Sequence, residues 1–296
     1  MAAQRIEKLN SLRTILNEME QVAIAFSGGV DSTFLAYFAA ETLGPEKVLA
    51  VTAVAPNFAD DEISYAKEVA ERLGIKHELV QVDLPELFWQ NPKDRCYHCK
   101  KAVFGQIIET IATEKVLAIM KSLPPADTED SPAAMRPLEA GDIPVFCDGQ
   151  NKDDESDYRP GSIAAKELGV RSPLHEAGLT KAEIRETLHE MGIEIWNKPA
   201  FACLASRIPY DTQITEGKLH AIYDIELMLR ENGFTQVRAR IHGDIIRLEL
   251  LPEEMSLLTD NRTLCETLNH KAAEHNYSYV TLDIMGYKMG NLNNVI

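Results

Sequence analysis

A short apolar run that ends in a glycine turn constrains the fold of this 296-residue chain more than any other feature. Residues 22–26, VAIAF, have the length and composition of one buried parallel strand, and Ser27, Gly28 and Gly29 interrupt it at once. An apolar stripe over residues 31–43 predicts the helix that follows. Such a strand, turn and helix N-terminus favour an anion, because backbone N–H groups converge there and the helix dipole attracts phosphate.

Polar side chains around this turn refine the prediction. Ser27, Ser32 and Thr33 add hydroxyl donors for a phosphate. Asp31 would repel a phosphate unless a cation lies between them, so the sequence predicts Mg²⁺ at this carboxylate. The pattern matches neither G-x-x-x-x-G-K-[ST] nor G-x-G-x-x-G. A turn that binds no ligand is the alternative, because the same geometry recurs in α/β folds without phosphate.

Two further strands extend this unit into a sheet. Residues 48–54 are an apolar run of strand length, and residues 78–82 predict a third strand. Residues 60–73 between them predict a helix that Gly74 ends. This order predicts an α/β fold with a doubly wound parallel sheet that binds ligands at the carboxyl edge of its strands. The loop 53–58 is then expected either beside an adenine or as a simple connection.

Composition excludes several classes of partner. Lys and Arg number 30 against 46 Asp and Glu, a net charge of −16, which argues against a general nucleic-acid binder because phosphate backbones need a clustered cationic surface. No apolar run is long enough to span a membrane, and the first residues lack the apolar core of a signal peptide. Five cysteines, an odd number, fit a reducing compartment. We therefore expect a cytoplasmic protein without a membrane or nucleic-acid partner.

A pair of cysteines lies near the start of the next predicted helix, which runs to about residue 113. Cys96 and Cys99 are three residues apart, so both thiols occupy one helical face near the positive end of the helix dipole. Three neighbouring cations also favour the thiolate: Arg95, Lys100 and Lys101. A redox dithiol and half of a zinc site with His98 are alternatives, because one C-x-x-C motif is a weak signal.

An acidic loop follows the predicted fourth strand, residues 144–148. The loop, residues 148–161, contains Lys152, which we expect to contact phosphate, and Asp154 and Glu155, which we expect to share the Mg²⁺ ion. A solvated loop with no ligand is the alternative.

The chain divides into two predicted domains. Residues 1–207 hold the parallel sheet and a mobile, proline-rich and acidic insertion at about 114–143. Residues 208–296 predict a small α+β domain, in which one helix runs from about residue 252 to residue 275. This domain needs a neighbour to complete its core, so we expect a homo-oligomer. Arg238 and Arg240 share one face of a predicted strand there, where guanidinium groups suit an anion. Surface ion pairing is the alternative for these two arginines.

Residues 198–210, KPAFACLASRIPY, carry Cys203, Ser206 and Arg207 in a segment with no helical or alternating period. The chain resembles the LarE family through this segment together with four others. These are SGGVDST at 27–33, DGQNKDDESDYRPG at 148–161, VRARIH at 237–242 and YVTLDIMGYKMGNLN at 279–293. LarE proteins are ATP-dependent sulfur transferases of the PP-loop ATP pyrophosphatase superfamily that act in nickel-pincer nucleotide biosynthesis. The resemblance covers nearly the whole chain except the insertion.

The resemblance implies an activity and a set of site residues. A carboxylate of pyridinium-3,5-biscarboxylic acid mononucleotide would attack the α-phosphorus of ATP, and sulfur would then displace AMP to give the thiocarboxylate. The ATP-binding residues would be Ser27, Gly28, Gly29, Asp31, Ser32, Thr33 and Lys152. The nucleotide substrate would be held by Ser206, Arg207, Arg238 and Arg240.

The source of the sulfur separates LarE subtypes. One subtype sacrifices the sulfur of a single cysteine at the position of Cys203, whereas this chain adds Cys96 and Cys99. Three thiolates suit a [4Fe–4S] cluster whose fourth iron accepts hydrosulfide from a sulfide donor. Closed zinc coordination with His98 and sacrificial donation from Cys203 are the alternatives.

Three other functions use parts of the same pattern. A tRNA thiolase shares the ATP chemistry but usually adds zinc ribbons or a basic RNA surface, and neither is visible here. An amide-forming ligase, such as an NAD synthetase, needs an ammonia source and gives no reason for the three cysteines. A non-catalytic redox sensor that binds a nucleotide is a third alternative, which pyrophosphate release in the presence of substrate would distinguish from an enzyme.

Overall fold

The computed structural model describes residues 2–122, 143–156, 160–198 and 203–288. The chain forms two compact units. The first comprises Met1–Ala55, Asp60–Pro85 and Cys96–Lys198, and the second comprises Pro56–Ala59, Glu86–Arg95 and Pro199–Ile296. No helix among the described residues is both long enough and apolar enough to cross a membrane.

The division lies earlier in the chain than the predicted boundary at residue 207. Residues 203–207 belong to the second unit because they hydrogen-bond within it: Arg95 donates to the carbonyl of Ala205, and Arg240 donates to the carbonyl of Ser206. These long-range contacts leave no trace in local composition, so the sequence pattern did not show them.

A four-stranded parallel sheet forms the centre of the first unit and confirms the predicted fold class. Its strands are β1 (Val22–Ala25), β2 (Val48–Val54), β3 (Lys76–Gln81) and β4 (Val145–Cys147), in the order β3-β2-β1-β4. Ile24 of β1 lies between Ala50 of β2 and Cys147 of β4. The strand order changes direction at β1, so the crevice at the carboxyl ends of β1 and β4 is the expected ligand position.

Helices cover the sheet of the first unit. They are α1 (Ala2–Met19), α2 (Val30–Leu43), α3 (Asp60–Leu73), α5 (Arg95–Ser122), α6 (Pro160–Glu167), α7 (Pro173–Glu176) and α8 (Lys181–Glu190), while the short α4 (Glu86–Gln90) lies in the second unit. Leu12, Leu16, Phe34 and Leu35 are completely buried in the core. Burial of each such side chain stabilises the unit by about 1.5–3 kcal/mol.

The predicted insertion starts later than expected. Helix α5 continues to Ser122, so residues 114–122 belong to the helix, and residues 123–142 lie outside the described part of the chain.

A three-stranded sheet forms the second unit with the helices α9 (Glu216–Glu231), α10 (Met255–Thr259) and α11 (Arg262–Glu274). Strand β5 (Val237–His242) runs antiparallel to β6 (Ile245–Leu250), and β7 (Tyr279–Leu282) runs parallel to β6. The single helix predicted over residues 252–275 is interrupted. The side chain of Asn261 accepts a hydrogen bond from the backbone N–H of Leu264 at 3.0 Å and caps a new helix, α11.

Candidate functional site

The glycine turn after β1 is built for a close backbone approach. Gly28 has a φ of +64°, the left-handed region that glycine adopts without steric cost. A Cβ on Gly28 would lie 3.1 Å from the Cα of Ala66 on α3, so the helix packs directly against the turn. Helix α2 begins at Val30, directly after the turn, so its first N–H groups lie close to the carboxyl end of β1.

Hydroxyl groups line the turn as the sequence predicted. The Oγ atoms of Ser27 and Ser32 are 3.2 Å apart, and Ser32 Oγ donates to the carbonyl of Gly29 at 3.3 Å. Thr33 Oγ1 is buried and has no hydrogen-bond partner among the described residues. The loop after β4 also reaches this point, since a Cβ on Gly149 would lie 2.9 Å from the backbone nitrogen of Ser32. The turn and the acidic loop therefore share one crevice.

The carboxylate of Asp31 lies in an environment that suits a bound cation. Its Oδ1 atom is buried, with no hydrogen-bond partner among the residues the structure describes. Burial raises the pKa of Asp31, the charge of Lys181 opposes this shift, and the carboxylate of Asp154 adds to it. Two carboxylates near each other are stabilised by a hard cation, and Mg²⁺ commonly takes one or two carboxylates plus phosphate oxygens. Asp31 and Asp154 therefore fit the predicted Mg²⁺, whereas the side chain of Glu155 lies outside the described atoms.

Two lysines that the sequence reasoning missed lie beside the turn. Lys198 Nζ donates to the carbonyl of Gly28 at 3.1 Å, and Lys181 Nζ is 3.9 Å from Asp31 Oδ2. Lys152, predicted to contact phosphate, is exposed, and its backbone N–H donates to the carbonyl of Leu179. Lys181 is the first residue of α8, directly after the capping residue Thr180. The capping pattern in the sequence could therefore have placed this lysine at the start of a helix.

Cys96 and Cys99 lie in the first turn of α5, as predicted, with Cys96 exposed and Cys99 half-buried. The cations expected to favour their thiolates have other partners. Lys100 Nζ is 2.8 Å from Asp148, and Lys101 Nζ is 2.7 Å from Glu167. Arg95 donates to the carbonyl of Ala205 within the second unit. Carboxylates distant in sequence therefore share these charges, and the influence of the cations on the thiols stays a prediction.

Cys203 lies in the second unit, and its residue is exposed. Asn57 Nδ2 donates to Cys203 Sγ at 3.3 Å, and the carbonyl of Asn57 accepts the N–H of Leu204 at 3.2 Å. Asn57 is only 1% exposed, so it forms a rigid support for the thiol. Its loop was expected beside an adenine or as a simple connection, and the structure instead gives Asn57 a specific contact with sulfur.

In the part of the chain that the structure describes, no three side chains of His, Cys, Asp or Glu form a group able to hold a metal ion. The three-thiol cluster site therefore stays a prediction. Its donor chemistry fits iron, since Cys96 and Cys99 share one helical turn and Cys203 is exposed.

The arginines predicted to bind the substrate are buried in the second unit. Arg207 is 1% exposed and forms two 2.8 Å contacts with Glu226, and it also donates to the carbonyl of Cys203 at 3.1 Å. Arg240 pairs with Glu249 at 2.7 Å. Arg207 and Arg240 therefore each have an internal carboxylate partner, and their role in binding the anionic substrate stays a prediction.

Arg238 has a different environment from the other two. It donates to its neighbouring carbonyl of Val237 at 2.7 Å and lies 5.3 Å from the ring centre of Tyr287. Burial, together with the nearby charge of Arg207, lowers the pKa of Arg238 to about 10. An anion would relieve this cost, so Arg238 keeps the predicted substrate role as a proposal. Ser206 Oγ accepts from Arg207 at 2.9 Å.

Comparison with known proteins places this site in a family. The asparagine synthase family model matches residues 9–108, which include the glycine turn. The chain is 38% identical over 291 residues to an uncharacterized protein of Synechocystis sp., with 98% of each chain covered. It is 32% identical over 291 residues to the pyridinium-3,5-bisthiocarboxylic acid mononucleotide synthase of Lactiplantibacillus plantarum, covering 98% of this chain and 95% of the relative.

A further match covers a smaller part of the chain. An NH(3)-dependent NAD(+) synthetase of Pyrococcus horikoshii is 44% identical over 61 residues, which is 21% of this chain and 23% of the relative. The end-to-end similarity, together with the phosphate-binding turn, shows that the chain belongs to the LarE family of pyridinium-3,5-bisthiocarboxylic acid mononucleotide synthases, ATP-dependent enzymes of the PP-loop ATP pyrophosphatase superfamily.

Proposed function

We propose that this enzyme converts carboxylates of pyridinium-3,5-biscarboxylic acid mononucleotide into thiocarboxylates by ATP-dependent sulfur transfer. The observation that carries the proposal is the similarity over nearly the full length to a synthase named for the bis-thiocarboxylate product. The geometry of the glycine turn supplies the residues for the ATP-dependent step. A carboxylate needs such activation, because its oxygen is a poor leaving group until AMP is attached to it.

The first step is adenylation. The N–H groups and hydroxyls of the turn, from Ser27 to Thr33, hold the phosphates of ATP. Asp31 and Asp154 hold Mg²⁺, which neutralises phosphate charge when it is bound. A substrate carboxylate oxygen then forms a bond to the α-phosphorus, and the bond from that phosphorus to the bridging oxygen breaks. Pyrophosphate leaves with the electron pair, and the acyl-adenylate remains.

The second step is displacement of AMP by sulfur. We propose Cys96, Cys99 and Cys203 as ligands of a [4Fe–4S] cluster, and accessible thiols on two segments of the chain support this assignment. When bound, such a cluster supplies one iron without a protein ligand, on which hydrosulfide from a sulfide donor can be held. The sulfur atom bonds to the acyl carbon, and the bond from that carbon to the phosphate oxygen breaks. AMP leaves with the electron pair of that bond. The other carboxylate of the substrate is converted in the same way.

Sacrificial donation by Cys203 is a second candidate for the sulfur step. The observation that favours it is the contact between Asn57 and Cys203, which holds one exposed thiol independently of Cys96 and Cys99. In that case Cys203 Sγ would bond to the acyl carbon as AMP leaves. Loss of the Cα proton would then break the Cβ–Sγ bond, with its electron pair going to the thiocarboxylate and dehydroalanine remaining at position 203.

The proposed cellular setting follows from composition and surface. Five cysteines, an odd number, agree with a cytoplasmic location. The net negative charge argues against nucleic acid as a partner. Exposed apolar side chains follow β7, with Ile284 87% exposed and Met285 61% exposed, which supports assembly with further copies through the second unit.

The proposed function predicts a fixed stoichiometry. Purified enzyme given ATP, Mg²⁺, sulfide and the biscarboxylic nucleotide should release one pyrophosphate and one AMP for each oxygen replaced by sulfur. Mass spectrometry of the nucleotide, with a coupled pyrophosphate assay, measures both quantities. Pyrophosphate release that does not depend on the nucleotide would contradict the proposed substrate.

The cluster assignment predicts the effect of single cysteine changes. Anaerobic protein should contain iron and sulfide and absorb near 400 nm (roughly, for iron–sulfur charge transfer), and Cys96→Ala, Cys99→Ala or Cys203→Ala should each abolish this absorption. Cys265→Ala is the matched control, because that half-buried thiol donates to the carbonyl of Leu258. Full iron in the three single variants would refute the assignment, and dehydroalanine at position 203 after turnover would favour sacrificial donation.

A further inference from the structure

Lys198 lies at the phosphate-binding turn although it is 170 residues away from Gly28 in sequence. Its ammonium nitrogen is 3.1 Å from the carbonyl oxygen of Gly28 and 3.0 Å from Glu62 Oε2. It also lies 3.8 Å from the ring centre of Tyr65. All four residues belong to the first unit. A single cation therefore contacts the turn and two side chains of α3 at once.

The backbone of Lys198 is fixed independently of its side chain. Its N–H donates to the carbonyl of Ile195 at 2.9 Å, and its own carbonyl accepts from Arg185 at 2.9 Å. The side chain is 14% exposed, so only a small part of it faces solvent. Little conformational entropy is left to lose when the ammonium binds an anion, which favours tight binding.

One face of α3 organises both the turn and the lysine. Glu62, Tyr65 and Ala66 are three and four residues apart, so they lie on the same side of the helix. Ala66 packs against Gly28 where a Cβ would lie, and Glu62 and Tyr65 hold the ammonium. The position of the cation is thereby fixed relative to the backbone N–H groups that face the phosphate.

The negative charge around the turn favours a cation at the position of Lys198. Asp31, Asp154 and Glu62 bring negative charge to this region, and the polyphosphate of ATP adds more. Lys181 is drawn towards Asp31 at 3.9 Å. Lys198 instead contacts the carbonyl of a loop residue whose neighbours bind phosphate. A lysine ammonium acts as a compact point charge and commonly serves phosphates in this way.

We propose that the ammonium of Lys198 binds the pyrophosphate portion of ATP, and that Glu62 and Tyr65 hold the ammonium beside the turn. This inference rests on the proposed function only in that ATP binds at the glycine turn. It assigns Lys198 a contact with the phosphates and assigns Glu62 a positioning role.

Binding of inorganic pyrophosphate in the presence of Mg²⁺ tests the assignment, with calorimetry on the full chain. Lys198→Met keeps the apolar stem but removes the charge, and we expect it to weaken pyrophosphate binding about 10- to 100-fold, the range for a lost charged hydrogen bond. Lys198→Arg should recover part of the affinity. Glu62→Gln keeps the lysine and leaves a neutral carbonyl oxygen to accept from its ammonium, so pyrophosphate binding should weaken less than in Lys198→Met.

Comparison of Lys198→Met with Glu62→Gln distinguishes phosphate binding by Lys198 from a purely structural role of the Lys198–Glu62 pair. If the Lys198–Glu62 pair only fixes the turn, Lys198→Met and Glu62→Gln will weaken pyrophosphate binding to the same extent, and the inference is overturned. Unchanged affinity in Lys198→Met overturns it as well. Lys198→Gln gives a second neutral variant if the methionine variant does not fold. A wild-type chain that binds no pyrophosphate would instead count against the proposed ATP site itself.

Discussion

Replacing Asp31 by asparagine is expected to lower substrate-dependent pyrophosphate release by about 10²- to 10³-fold, the range seen when one electrostatic stabiliser of a transition state is removed. Asparagine preserves the shape of the side chain but carries no charge. The buried Oδ1 atom of Asp31 has no hydrogen-bond partner among the described residues, so a cation is the group that would compensate it. Without that carboxylate, Mg²⁺ binds weakly and the charge that develops on pyrophosphate is not neutralised.

The measurement is the initial rate of pyrophosphate release over a range of Mg²⁺ concentrations. Asp31→Asn should raise the Mg²⁺ concentration needed for half-maximal rate as well as lower the maximum. Asp60→Asn is the matched control, because Asp60 is an exposed carboxylate in the first turn of α3 within the same unit. Equal rates in wild type and Asp31→Asn would remove this carboxylate from the site.

The fold of the first unit was predictable because its signals are local. Strands β1 and β2 are short apolar runs, and the turn at Gly28 combines a left-handed glycine with the start of a helix. Other details of the fold differ from the prediction because their local sequence signals are weaker. Strand β3 begins at Lys76, two residues before the predicted start at residue 78, because backbone pairing with β2 extends to Lys76. Asn261 interrupts the helix predicted over 252–275 through a side-chain cap that periodicity does not reveal.

The site was predictable only where it is contiguous in sequence. Ser27 to Thr33 form one segment, and its role followed from residue type and spacing. Lys198 reaches the same turn from a distant segment, so only tertiary structure shows the contact. The arginines of β5 were located correctly on a strand, but their charge partners were not predicted. Arg238 lies opposite Glu249 across the β5–β6 pair, and Arg240 forms the ion pair with that carboxylate. A strand pattern predicts which face a side chain occupies but not which charge it meets there.

The buried pair of Arg207 and Glu226 is expected to dominate the stability of the second unit. Glu226→Ala should lower the free energy of unfolding by about 3–5 kcal/mol, because it leaves the charge of Arg207 buried without compensation. Both side chains are only 1% exposed. Glu226 also accepts the backbone N–H of Ala239 at 2.9 Å, so the substitution leaves a second buried donor unpaired.

Urea unfolding can report on this unit separately. The chain has two tryptophans, of which Trp89 lies in the second unit and Trp196 in the first. In a Trp196→Phe background, the fluorescence of Trp89 follows unfolding of the second unit. Glu266→Gln is the control, because its pair with Arg262 is solvent-exposed and should be worth at most about 0.5 kcal/mol.

The double variant Arg207→Met/Glu226→Leu tests whether the buried ion pair itself stabilises the second unit or whether apolar side chains can replace it. Replacing a buried ion pair by apolar side chains of similar volume is often neutral, so the double variant should recover much of the stability that Glu226→Ala loses. Arg207 also donates to the carbonyl of Cys203, and this contact disappears in the double variant. We therefore expect a stable protein whose pyrophosphate release persists while sulfur transfer falls. If the double variant loses as much stability as Arg207→Met and Glu226→Leu lose together, the two side chains do not act as a coupled buried pair.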